Sequence, residues 1–224
     1  MYRNLIPFFR PLSGANPLWN GLLAYYTADN TANDALGNYN GTLTNGATYA
    51  TGKINNGFSF DGVNDYLLTS PNVLLNTSTQ HTYSCWVRPS SISSTKFFMS
   101  LSESIRNSSI GHINGGQIAF FRGSVDAQVL SGVSMVVNNW YHVCVVYKGD
   151  GISSNVLFYV NGSLVSTQSL GIPHLNNRPL TIGSNSTVNG QFFNGTLDEC
   201  ALWSRELTSS EVTELYNSGA GKQY

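Results

Sequence analysis

The chain has 224 residues, a formal net charge of −1 and only 10% charged residues, against about a quarter in an average globular domain. So even a charge balance gives no electrostatic case for nucleic acid or an acidic membrane surface, while a hydrophobic share of 41% excludes global disorder. Polarity comes instead from Asn, Ser, Thr and Gly, which suits uncharged hydrogen-bonding ligands and an ordinary β-sandwich alike, and no apolar run approaches a membrane span.

Residues 1–18 differ from the rest. Pro7, Pro11 and Pro17 alternate with Leu5, Ile6, Phe8, Phe9 and Leu12. The prolines forbid a regular helix and favour an extended path. An apolar arm of this kind either folds back on its own domain or docks on a partner, and both readings stay open. The segment does not read as a signal peptide, because its apolar run is short and broken by proline and Arg10. Read as a natural start, Met1 implies synthesis in a cytosol.

From Trp19 to Tyr224 the pattern is one domain of short strands and Gly/Asn/Ser turns. Strands are expected at Leu22–Tyr26, Gly41–Leu43, Phe58–Phe60, Tyr66–Leu68, His81–Arg88, Lys96–Leu101, Gln117–Arg122 and Val133–Val137. Trp140–Lys148 has apolar residues on both faces, as in a strand between two packed layers. Val156–Val160 and Ser163–Thr167 flank Asn161-Gly162, a strong hairpin signal. Leu180–Gly183 and Phe193–Trp203 follow. In the last strand, simple alternation puts Leu197, Glu199, Ala201 and Trp203 on one face, and Asp198, Cys200 and Leu202 on the other. A short helix closes the chain, capped by Thr208 with Glu211 completing a capping box and Gly219 ending it. The set predicts an all-β, two-sheet antiparallel sandwich or jelly roll with one short C-terminal helix.

Cys85, Cys144 and Cys200 each lie inside an apolar strand pattern. An odd count without paired spacing reads as buried free thiols rather than disulfides or a metal site.

Several pieces in order carry a resemblance: Gly21-Leu22-Leu23-Ala24-Tyr25-Tyr26; Gly57-Phe58-Ser59-Phe60-Asp61-Gly62; Asp65-Tyr66-Leu67; Tyr83-Ser84-Cys85-Trp86-Val87-Arg88-Pro89; Asn139-Trp140-Tyr141-His142-Val143; Leu157-Phe158-Tyr159-Val160-Asn161-Gly162; and Phe193 to Tyr216. Together they resemble the LamG-like jelly roll of the concanavalin A-like lectin/glucanase superfamily. The resemblance implies two curved antiparallel sheets, often a structural calcium, and binding rather than catalysis. In that family an early-loop acid and a late-strand acid often share the calcium, which nominates Asp29 and Asp198 here. Read from the residues alone, Asp29 and Asp34 turn the loop and Asp198 hydrogen-bonds loop backbone, while Asp61 reads as a turn former.

A glycosidase needs two carboxylates flanking the bond, about 5–10 Å apart. No acidic i, i+2, i+4 triplet exists, and alternation separates Asp198 from Glu199. No Ser or Cys has a nucleophile motif around it, so the chain reads as non-enzymatic. A sugar site would use an aromatic face with amide or hydroxyl partners. Tyr25, Phe97, His112, Asn114 and Phe121 are the candidates, since one ring of each pair Phe97-Phe98 and Phe120-Phe121 should face outward. Sequons at Asn40, Asn76, Asn107, Asn161, Asn185 and Asn194 follow from the composition. The expected function is a lectin-like adhesion module on a larger assembly. That assembly is read as a phage or virus particle, with the module at the virion surface, residues 1–18 docking on capsid or fibre proteins, and the chain forming a homo-oligomer. The alternatives are a purely structural virion subunit and an extracellular bacterial adhesin domain.

Overall fold

A computed structural model describes residues 17–77, 79–103, 106–122, 128–149, 153, 155–170, 176–185 and 191–223. In chain order the strands are β1 (Leu22–Tyr26), β2 (Gly41–Thr44), β3 (Thr48–Thr51), β4 (Asn56–Asp61), β5 (Tyr66–Thr69), β6 (Val73–Asn76), β7 (His81–Pro89), β8 (Lys96–Glu103), β9 (Arg106–His112), β10 (Gln117–Arg122), β11 (Gln128–Ser134), β12 (Tyr141–Tyr147), β13 (Val156–Val160), β14 (Ser163–Gln168), β15 (Asn176–Arg178), β16 (Leu180–Ile182) and β17 (Asn194–Trp203). The helix α1 (Ser209–Tyr216) follows.

One sheet runs β14-β13-β12-β7-β17-β4-β3, with β1 also on β17; the other runs β11-β10-β9-β8-β16-β5-β2. This is the expected two-sheet sandwich. The core between the sheets holds Phe58, Tyr83, Val143, Val145, Tyr147 and Leu202, among others. A second core lies on the outer face of the first sheet, where Cys144, Val146, Ala201 and Trp203 meet Val212 and Leu215 of α1. β12 is therefore apolar on both faces because it has a core on each side.

The helix ends follow the local chemistry. Thr208 caps the first turn and its capping box with Glu211 is complete. The exit differs from expectation: the helix stops at Tyr216, and Asn217 rather than Gly219 takes the first left-handed conformation, at φ 47°. Asn tolerates that region because its short amide replaces lost backbone partners. The turn Asn161-Gly162 also forms as expected, with φ 50° and 76°, the two positive values of a type I′ hairpin.

The start of the domain needs a correction. Leu18, read above as part of the arm, is fully buried in the second core. Its carbonyl accepts the Trp203 indole N–H at 2.7 Å, and Arg205 donates to the carbonyls of Pro17 and Asn20 while pairing with Glu211. The packed domain thus includes Pro17 and Leu18. Residues 1–16 lie outside the described residues. All three cysteines are free and buried, and burial pushes their thiols well above the ordinary range.

Candidate functional site: an acidic edge beside the closing strand

The alternation expected for β17 breaks in the middle. Leu197, Cys200 and Leu202 face the core between the sheets, whereas Ala201 and Trp203 face the second core. Two residues, Asp198 and Glu199, therefore occupy the interval between consecutive inward positions. The pairing with β7 slips between Asp198 and Ala201, and Glu199 sits at φ 49°. This is a β-bulge, one extra residue that the ladder cannot pair. It corrects the assignment of the two acids to opposite faces: both carboxylates reach the same edge, beside Asp29 in the loop after β1.

Each acid is held differently. Asp198 is fully buried; its Oδ2 accepts the backbone N–H groups of Lys53 (2.8 Å) and Ile54 (2.9 Å), and its Oδ1 that of Glu199 (2.8 Å). Glu199 accepts the Tyr25 hydroxyl and, at 2.9 Å, the side-chain amide of Gln223. Asp29 accepts from Asn56 N (3.1 Å), Asn55 Nδ2 (3.2 Å) and the same Gln223 amide (2.8 Å). Gln223 therefore bridges Asp29 and Glu199 from the far end of the chain.

Burial pushes Asp198 up to about 7, against the three N–H bonds that lower it, and the charge of Asp29 adds to the rise. Burial likewise carries Glu199 up to about 8, against the bonds from Tyr25 and Gln223, with the neighbouring charges adding. At Asp29 partial burial raises the carboxyl, but the bonds from Asn56, Gln223 and Asn55 outweigh it and leave it below the usual value. No Lys, Arg or His side chain among the described residues bonds or pairs with these acids; the Lys53 ammonium lies instead 4.6 Å over the Trp86 ring.

The carboxylate oxygens of this edge are of the kind a hard cation takes, and N–H donors, the Gln223 amide and the Tyr25 hydroxyl engage them here. The disposition is less complete: among the described residues no three His, Cys, Asp or Glu converge as a metal site. Any ion held here would need amide and backbone oxygens to complete its shell. Asp34, by contrast, is a loop pin: its carboxylate accepts the N–H groups of Tyr25, Leu36, Asn38 and Tyr39. Asp61 closes a turn onto Val63 N–H, as read from the sequence.

The sugar candidates fare worse. Phe97 and Phe121 are fully buried, packed on each other at 4.6 Å between ring centroids, while Phe98 and Phe120 fill the core between the sheets. Both faces of β8 and β10 are covered, so neither pair turns a ring to solvent. His112 is buried with Nδ1 donating to the Ile113 carbonyl at 2.9 Å, and Tyr25 is buried with its hydroxyl on Glu199. Of the five candidates only Asn114, on the turn between β9 and β10, is exposed.

The comparisons with known proteins decide the family. A laminin G-type family model described as the Concanavalin A-like lectin/glucanases superfamily matches residues 61–213, two thirds of the chain. The chain belongs to this superfamily. Among solved structures, domain 4 of AbnA, a GH43 extracellular arabinanase from Geobacillus stearothermophilus solved in complex with arabinotriose, aligns with a TM-score of 0.70 at 23% identity, covering 86% of this chain and 97% of that one. The binding domain of Paraclostridial Mosquitocidal Protein 1 aligns with a TM-score of 0.70 at 16% identity, covering 89% of this chain and 52% of that one. The binding domain of botulinum neurotoxin serotype D gives 0.69 at 16%, covering 88% and 52%. This superfamily member thus spans about half the length of the toxin binding domains. At these identities the likeness is one of fold. No curated protein matches the sequence.

Proposed function

We propose that this superfamily member is a non-enzymatic, lectin-like carbohydrate-binding and adhesion module. The observation that carries the non-enzymatic reading is the state of the two acids at the bulge. Asp198 is 0% and Glu199 5% exposed, and their oxygens are engaged by backbone amides, Tyr25 and Gln223. Glycoside hydrolysis needs two carboxyl groups opening on a shared substrate groove; here they tether strand, loop and C-terminal tail. The binding reading is supported by the superfamily, by the neutral hydroxyl- and amide-rich composition, and by the fold shared with an arabinanase domain solved with arabinotriose and with toxin binding domains.

The proposal has three further parts. Calcium is held at the acidic edge by Asp29 and Asp198, with amide and backbone oxygens completing its shell. The module is displayed on a larger assembly, a virion, through the segment that precedes Pro17. What supports this is the proline-punctuated apolar composition of that segment and the clamp on Pro17 and Asn20, which gives it a fixed point of departure. Self-association uses edge strand β14, where Leu164 and Val165 are left exposed.

A glycan array probed with the full chain, with calcium and with chelator, tests the reading. Selective binding to a set of neutral glycans is expected. Binding to no glycan under either condition would reject it and favour a purely structural subunit.

A further inference from the structure

The turn between β13 and β14 packs against the end of α1, and an open cleft of about 250 Å³ along this seam is lined by Asn161, Gly162, Ser163, Thr213, Tyr216 and Ser218. None of the six carries a charge. We propose that this cleft is a binding subsite for one neutral, hydroxyl-rich unit, of the chemical class of a monosaccharide, with Tyr216 as its platform; this deepens the carbohydrate-binding reading and rests on it.

The ring of Tyr216 is held in place rather than free. It stacks on Trp86 at 5.8 Å and 26° and lies 6.2 Å from His142. A pre-positioned aromatic wall with a polar tip gives contact area at little entropic cost. The adjoining wall meets the ring directly through its backbone. A Cβ on Gly162 would stand 2.8 Å from Tyr216 Cδ1, and the residue is at φ +76°, so only glycine keeps this spacing. Thr213 helps join the walls, its hydroxyl reaching the Gly162 carbonyl at 3.4 Å and the Ser209 carbonyl at 2.9 Å.

Hydrogen-bonding capacity is left over at the rim. The carbonyl oxygen of the Asn161 side chain accepts the His142 N–H at 2.9 Å, which orients the amide and leaves its NH2 as a donor. Ser163 and Ser218 are exposed and bring two further hydroxyls to the cleft. A rigid ring, one oriented amide and paired hydroxyls match the donor and acceptor pattern of a sugar's hydroxyl groups. The volume lies below the roughly 300–1,000 Å³ of drug-sized sites, which restricts the occupant to one small unit, such as the end of a chain.

The test titrates the isotope-labelled full chain with methyl glycosides of glucose, galactose and arabinose, one at a time, following backbone amide shifts. Shifts confined to 161–163 and 213–218 are expected. Thr213→Arg fills the cleft from an exposed helix position and should weaken binding at least tenfold while the amide spectrum away from the cleft stays that of the folded parent. Ser163→Arg, on the other wall, should do the same and makes the result independent of either variant alone. Shifts mapping elsewhere, or parental affinity in both variants, overturn the site. If the parent binds the glycan array and both variants bind it equally, the cleft is rejected and the carbohydrate reading stands. If the parent binds neither glycosides nor array, both fall.

Discussion

The two halves of β17 behave as different materials. From Cys200 to Trp203 the strand alternates regularly between two apolar cores, and Trp203 is locked under α1 with its indole N–H on the Leu18 carbonyl. Two residues earlier, at Asp198-Glu199, it bulges and gathers acids from across the chain: Asp29 near the start, and the Gln223 amide near the end. The apolar half holds the fold by contact area, which is insensitive to pH. The acidic half gathers carboxyl groups that, among the described residues, pair with no cationic side chain, so its contribution depends on pH. The lesson is that one extra residue in a strand is enough to turn a packed apolar ladder into a cluster of titratable groups.

The largest expected effect lies on the apolar half. Trp203→Ala should cost about 3–5 kcal/mol in chemical denaturation, as expected for a buried Trp, with the same loss at pH 5 and pH 8. A loss that changed with pH would mean that the two halves are coupled. Calcium should act on the other half alone. At a concentration a hundredfold above its dissociation constant it should stabilise by about 2.7 kcal/mol, seen as a rise in melting temperature reversed by chelator. Asp29→Asn together with Asp198→Asn should remove that response, and a parent that melts alike with calcium and chelator has no such site.

The pH dependence follows from the raised carboxyls. The folded chain holds protons on Asp198 up to about pH 7 and on Glu199 up to about pH 8, whereas the unfolded chain releases them near pH 4. Between those limits the folded state binds more protons, so stability falls as pH rises, by about 1.4 kcal/mol per pH unit for each acid in its window. Glu199→Gln should flatten the fall by one acid and leave the protein more stable than the parent at pH 8 without calcium. A parent whose stability is flat from pH 5 to 8 would show that the acids are neutralised in some other way. The smallest effect belongs again to the apolar half: Thr208→Ala should lower stability by about 1 kcal/mol through loss of the helix cap.

Much of this architecture was legible because it is local. The Asn161-Gly162 turn, the Thr208/Glu211 box and the two-faced apolar pattern of β12 each depend on residues a few positions apart, and each forms as read. Strand β9 was not legible. Its sequence Arg106-Asn107-Ser108-Ser109-Ile110-Gly111-His112 is made of turn-favouring residues, and it is held in the sheet by the ladders from β8 and β10 on either side. The burial of Phe97 and Phe121 was illegible for a related reason: alternation says that two adjacent rings face opposite sides, but not whether both sides are covered. Gln223 carried no signal, since an amide near a chain end means nothing until Asp29 and Glu199 are placed beside it.

The sequence by itself carried the resemblance to the superfamily in its ordered motifs, and it determined the two-sheet class, the buried thiols and the capped helix because hydrophobic period, turn chemistry and capping act over a few residues. Only the tertiary structure decided where β17 bulges, which acids share an edge, which aromatics reach solvent and which turn meets the end of α1. Those outcomes depend on partners far away along the chain, up to the 194 residues between Gln223 and Asp29, and on whether a long-range ladder admits one unpaired residue.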